Sequence, residues 1–139
     1  MRVLAIDLGE RRTGLAFSDI GGRICGAAFS VEHFNKDELL KRLNLEIASR
    51  GVEELVLGLP RNMDGTEGEK ANESREFATV LEETFGLPVH LRDERLTTVA
   101  AHDILRNCGN KERAHRKNVD AVAASLILTS FLDEKKVDY

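Results

Sequence analysis

The 139-residue chain has no tryptophan and only two cysteines. Cys25 and Cys108 lie far apart and match no metal-ligand spacing, so reduced thiols in a cytoplasm are expected. No apolar run approaches the length of a membrane span, and the N-terminus carries no signal-peptide pattern; a cytoplasmic protein without a membrane partner is the expectation. A Walker A loop, a GxGxxG fingerprint and an H-E-x-x-H pair are all missing, which removes several common enzyme classes. His33, His90, His102 and His115 show no ligand spacing and are assigned no chemistry. An excess of positive charge is missing too. The formal net charge of -4 argues mildly against a nucleic-acid partner. Yet Arg106, Lys111, Arg113, Arg116 and Lys117 crowd one segment against a single acid, Glu112. Local patches, not totals, contact phosphates.

What the chain does have begins at Val3-Leu4-Ala5-Ile6-Asp7-Leu8-Gly9. Four apolar residues without alternation predict a central strand buried on both faces. An ionised carboxylate at its end is costly unless something cationic or strongly hydrogen-bonding stands beside it. Gly9 lets the backbone turn or a ligand come close. Asp7 is thus a carboxylate on a rigid support, aimed at positive charge.

Thr13–Asp19 and Arg23–Ser30 read as two further strands joined at Gly21-Gly22, completing an antiparallel meander. Small residues at Gly26, Ala27 and Ala28 suggest that another element packs close to the third strand. Asn35 and Glu38 form a capping box for a helix through Leu39, Leu43 and Ile47 that stops at Gly51. A strand at Glu54–Gly58 leads into a glycine-rich, mobile-looking loop from Pro60 to Gly68. Thr66 and Glu69 suggest a second capping box, opening a helix that ends at Gly86. A strand follows at Pro88–Arg92, then a helix from Thr97 or Thr98 to about Gly109, and a last helix from about Asn118 with a frayed tail from Asp133. The order β-β-β-α-β-α-β-α-α predicts an α/β fold, a mixed five-stranded sheet flanked by helices, in one domain over residues 1–139.

Carboxylates fall at three places where they are unexpected. Asp7 ends a buried strand, and Asp93 and Glu94 stand at the end of another. At 100° per residue, Asp120 lies between Ile127 and Phe131, inside the apolar arc of the last helix. Each has an ordinary explanation: turn amides for Asp7, a solvated turn for Asp93 and Glu94, the helix dipole for Asp120. Gathered at one edge, they would repel one another unless a cation intervened. Magnesium or manganese suits a few carboxylates plus phosphate oxygens, and two such ions serve in-line displacement at phosphorus. Acids beside a basic segment are the pattern of a metal-dependent nuclease. Strand alternation puts Asp93 with Val89 and Leu91, and Glu94 on the other side; parity alone leaves open which of them faces the metals.

The whole chain resembles the YqgF/RuvX family, described as Holliday junction resolvases and as pre-16S ribosomal RNA nucleases. The likeness rests on Asp7-Leu8-Gly9 with Arg12, Gly14 and Ser18-Asp19, and on Gly58-Leu59-Pro60 with Met63-Asp64-Gly65-Thr66-Glu67-Gly68. It continues through Asp93-Glu94-Arg95-Leu96-Thr97-Thr98 and ends with Lys117 and Val119–Ala124. The resemblance implies a ribonuclease H-like fold with Asp7, Glu94 and Asp120 as the catalytic, metal-binding acids. For substrate contact the candidates are Arg12, Arg61, Asn62, Arg95, Lys111, Arg113, Arg116 and Lys117. Each has a plainer reading as a solvated or ion-paired residue.

The leading expectation is therefore a magnesium- or manganese-dependent nuclease acting on structured RNA, by resemblance on precursor 16S rRNA ends in ribosome biogenesis. Branched DNA is the alternative substrate, and a non-catalytic module binding RNA or a transcription complex is the alternative role. An ATP-dependent phosphotransferase of the actin and sugar-kinase type also begins with a strand carrying Asp-x-Gly, but needs two such domains. Monomer and homodimer are both compatible with the sequence.

Overall fold

The computed structural model describes residues 1–94 and 112–137, with side chains for 1–94 and 119–135. The strands are β1 (Arg2–Asp7), β2 (Arg12–Ser18), β3 (Cys25–Glu32), β4 (Val52–Leu59) and β5 (Val89–Asp93). The helices are α1 (Lys36–Arg50), α2 (Glu69–Phe85) and α3 (Glu112–Val137). They build one mixed sheet in the order β3-β2-β1-β4-β5. β1, β2 and β3 pair antiparallel, while β4 and β5 join β1 in parallel. β1 lies at the centre, as its unbroken apolar run predicts, with Val3, Leu4, Ala5 and Ile6 fully buried.

The two faces of the sheet differ in size. Leu4, Ile6, Leu15, Phe17, Leu55 and Leu57 meet Leu39 and Leu43 of α1 and Phe77 and Leu81 of α2. Each such large side chain taken from water contributes about 1.5–3 kcal/mol, so this face carries most of the core. The opposite face shows Val3, Ala5, Ala16 and Val56, and receives Ala124, Ile127, Leu128, Phe131 and Leu132 of α3. Small residues there let a single helix lie close to the strands. Glu54 of β4 is paired on this side with Lys135 and His90, and Arg92 of β5 with Glu134, so ion pairs fasten the C-terminal half of α3.

Local signals explain the helix ends. Asn35 Oδ1 accepts from the Glu38 amide at 2.9 Å, and Glu38 Oε2 accepts in return from the Phe34 amide, one residue before the cap. α1 closes on Gly51, which takes the left-handed conformation (φ 66°) and donates to the Ile47 carbonyl. The capping box expected from Thr66 and Glu69 does not form. Gly68 is the cap, with no side-chain bond, because Thr66 is engaged by Asp64, whose Oδ1 accepts from both its amide and its hydroxyl.

Two boundaries shift more. β3 runs to Glu32, past the expected end at Ser30. α3 begins at Glu112, not near Asn118, and runs to Val137 through the tail expected to fray. Arg113, Arg116 and Lys117 therefore belong to its first turns; their basic character masked a helical start in the sequence. The helix expected near residues 98–109 lies outside the described residues. Among the described residues no helix is long and apolar enough to cross a membrane.

Candidate active site

Asp7 shares its parity on β1 with Val3 and Ala5, so its side chain leaves the sheet on the α3 side. On β2 its cross-strand partner is Gly14. A β-carbon at Gly14 would overlap the Asp120 carbonyl oxygen and stand 3.2 Å from the Ala121 amide nitrogen. The absent side chain is what lets the backbone of α3 settle onto β2 beside Asp7. Asp120 belongs to the buried stripe continued by Ala123, Ala124, Ile127 and Phe131, and is itself half-buried.

Glu94 follows β5. Its amide donates to the Leu59 carbonyl at 3.1 Å, one step beyond the last β4–β5 pair, which continues the parallel ladder and keeps its alternation. Glu94 thus shares a side with His90 and Arg92, both of which contact α3. Its carboxyl lies over Gly58 of β4: a β-carbon there would stand 2.8 Å from Glu94 Cδ and 2.8 Å from Ile127 Cδ1. Two glycines, on the strands that flank β1, therefore clear the space for two of the three acids.

The electrostatics follow from this crowding. Glu94 is only 8% exposed. Burial first, then the charge of Asp7 and the hydrogen bond to it, push the Glu94 carboxyl up to about 9. Burial also pushes Asp7 up to about 6, with the Glu94 bond pulling it down and the charge of Asp120 adding to the rise. Near neutral pH Glu94 holds the proton and donates it to Asp7. Glu94 Oε2 is buried, with no hydrogen-bond donor against it. Among the described residues no three His, Cys, Asp or Glu side chains already form a closed ligand set. Two raised carboxyls, a third acid adding to both shifts and an orphaned oxygen are the state in which a hard dication would replace the shared proton.

The other predicted residues divide. Asp93 points to the opposite side, where its Oδ2 is 3.9 Å from Arg61 Nη1. Arg61 is also 3.6 Å from Glu67, so an acid stands at each end of its guanidinium. Asn62 is built into its own loop: its amide donates to the Thr66 carbonyl at 2.8 Å and its Nδ2 to Thr66 Oγ1 at 2.9 Å. The segment expected to be mobile is thus a small self-bonded hairpin, closed by the Arg61–Glu67 bridge. Arg12 opens β2 with the parity of Gly14, 3.8 Å from Glu32. Arg95 and Lys111, and the side chains of Arg113, Arg116 and Lys117, lie outside the described residues.

The structure adds one participant that carried no spacing signal. His33 is buried, and its Nε2 lies 2.7 Å from Thr13 Oγ1. That oxygen accepts from the Gly9 amide at 3.3 Å, tying down the turn that follows Asp7. Burial holds the His33 ring below its usual pKa, so it is neutral at physiological pH.

The family described as RuvX, Holliday junction resolvase, matches residues 1–134. A protein of Moorella thermoacetica named "Putative pre-16S rRNA nuclease" is 42% identical over 133 residues, covering 96% of this chain and 95% of its own length. A protein of Geobacillus kaustophilus with the same name is 41% identical over 138 residues, covering 98% and 100%. Among solved structures, RuvC of Thermus thermophilus in complex with a Holliday junction substrate superposes with a TM-score of 0.57 at 18% identity, covering 98% of this chain and 96% of that one. The sheet order and the helices on both faces are those of the ribonuclease H-like fold.

Proposed function

This chain belongs to the RuvX family of nucleases, and from that membership we propose that it hydrolyses phosphodiester bonds in structured RNA, trimming the ends of precursor 16S rRNA in the cytoplasm as a single nuclease domain. The observation that carries the site is the buried Asp7–Glu94 pair with its unpartnered Glu94 Oε2, set beside Asp120 at the edge of the sheet. Asp7, Glu94 and Asp120 would hold divalent ions, magnesium or manganese by the hardness of the three carboxylates. When bound, two such ions supply an activated water and neutralise charge on the attacking and leaving oxygens at phosphorus.

The chain's own residues do the rest. β1 and β5 hold Asp7 and Glu94 on rigid strand ends, and the close seat of α3 on Gly14 fixes Asp120. An incoming cation would displace the proton held between Asp7 and Glu94, so binding is coupled to proton release and strengthens as pH rises. Thr13 and His33 keep the turn after Asp7 in place. Arg12, on the same side of the sheet, would meet a phosphate of the nucleic-acid partner by exchanging its Glu32 contact for it, and the basic start of α3 would add sequence-independent contacts.

The test is cleavage of a precursor 16S rRNA fragment with and without magnesium or manganese. Asp7→Asn should abolish cleavage while circular dichroism stays unchanged; full activity in that variant would overturn the assignment. The family's description favours a second reading, resolution of branched DNA. A four-way junction offered beside the RNA fragment decides between them by which is cut at the lower enzyme concentration.

A further inference from the structure

Phe34 sits between β3 and α1 with 75% of its surface exposed, the only aromatic among the exposed large hydrophobics of the described residues. One side of the ring is already occupied: the Arg11 guanidinium lies 5.3 Å from its centroid. The support beneath is rigid. The Phe34 amide donates to Glu38 Oε2 at 3.0 Å, and the His33 amide donates to the Arg11 carbonyl at 2.9 Å. Phe34 is therefore held to the turn that also carries Arg12, in a cleft of about 500 Å³ lined by Arg11, Arg12, Glu32, His33, Phe34 and Glu38.

The charge of that cleft decides what fits it. Two arginines are matched by two glutamates, so it does not select an anion. It offers a guanidinium and an aromatic plane to a flat, neutral, polarisable group. Nucleobases meet that description, and they stack on aromatic and guanidinium planes when unpaired. The ladder places the cleft relative to Asp7. Gly14 pairs with Asp7, Arg12 lies two residues farther along β2 and pairs with Glu32, and Phe34 lies two residues beyond Glu32. At about 3.3 Å per residue and 4.8 Å per strand, Phe34 stands roughly 15–18 Å from Asp7. That distance is spanned by a few nucleotides.

We propose that Phe34 and Arg11 form a stacking platform for an unpaired nucleobase a few nucleotides from the phosphate being cut, so that the preferred substrate carries single-stranded RNA beside the scissile bond. The proposal rests on the nuclease reading only for the position of the cut; the platform itself is a binding property. It also sets the platform apart from the basic start of α3, which would follow the phosphate backbone and be indifferent to bases.

The experiment measures binding without added divalent cation, using an eight-nucleotide single-stranded RNA and an RNA duplex of equal length. Phe34→Ala and Phe34→Leu should weaken single-strand binding by roughly 5- to 100-fold, the ratio for losing one stacked base, and leave duplex binding unchanged. Leucine keeps apolar area and removes the ring, so an equal loss in both variants assigns the effect to stacking. Because the chain has no tryptophan, Phe34→Trp supplies a single reporter whose fluorescence the single strand should quench. Unchanged single-strand affinity in both variants, or equal loss for strand and duplex, overturns the platform. Hydrolysis of bis(p-nitrophenyl) phosphate by the unaltered protein, a substrate with no base, tests the nuclease reading separately.

Discussion

Gly14 of β2 and Asp120 of α3 meet with no room for a methyl group between them, and Gly14 is also the strand partner of Asp7. One glycine thus sets the distance between two of the three acids. The obstacle to a larger residue is the main chain of a long helix, which cannot rotate aside as a side chain can. Gly14→Ala should therefore lift the N-terminal half of α3 from the sheet. Overpacking of this kind costs about 1–3 kcal/mol or more, a fall in Tm of roughly 5–15 °C at this length. Nuclease activity should fall by more than tenfold at temperatures where the variant remains folded. A thermal melt and a cleavage assay at 20 °C check both.

Gly58 makes the contrasting case. A β-carbon there meets the Glu94 carboxyl and the tip of Ile127, both of them ends of side chains that can move. Gly58→Ala should fold with nearly the parent Tm but swing Glu94 away from Asp7. Cleavage should drop at least about tenfold, in the range seen when groups that orient metal ligands are lost. Loss of stability equal to that of Gly14→Ala would mean that the strand, not the carboxyl, is what Gly58 accommodates.

These two glycines mark the limit of what was legible in the chain. The apolar run of β1, the meander, the caps of α1 and the placement of Asp120 in an apolar arc are all periodic or local, and the structure carries each of them. The Thr66 capping box failed because Asp64, two residues away, competes for the same hydroxyl, a rivalry that spacing does not rank. The start of α3 was hidden by charge, since a basic helical turn and a basic loop look alike without a hydrophobic stripe. The role of Gly14 depends on an element more than a hundred residues away, and His33 shows only that it is a histidine until Thr13 comes to stand beside it. Long-range contact of this kind leaves no period to read.

Asp93 and Glu94 are adjacent in sequence and opposite in space. Asp93 turns toward Arg61, and Glu94 turns toward Asp7. If Glu94 holds the metal, Glu94→Gln should reduce cleavage by about a hundredfold or more, at or beyond the upper end of what losing a partner of a metal ligand costs. Asp93→Asn should cost only a few-fold, through a looser Arg61 and a smaller charge near Glu94. Cleavage rates for the two variants at saturating manganese make the comparison, and a reversed order would exchange their roles.

The raised carboxyls also make stability depend on pH. A group whose pKa is higher in the folded state holds its proton there after the unfolded chain has released it, so stability falls as pH rises through that interval. For Asp7 the interval ends near 6, and for Glu94 it extends to about 9. Glu46, Glu54 and Glu67 have lowered values; their contribution is present at neutral pH and lost only in acid. His33, also lowered, is neutral in both states above pH 7 or so. Between pH 7 and 9 the slope belongs chiefly to Glu94. Without divalent cation the Tm should decline across that range, and Glu94→Gln should decline less. Manganese should raise the Tm of the parent protein, by an amount equivalent to about 2.7 kcal/mol at a hundred times its Kd, and by more at pH 9 than at pH 7 because fewer protons compete. A parent slope identical to that of Glu94→Gln, or a Tm indifferent to manganese at pH 9, would show that no cation replaces the proton between Asp7 and Glu94.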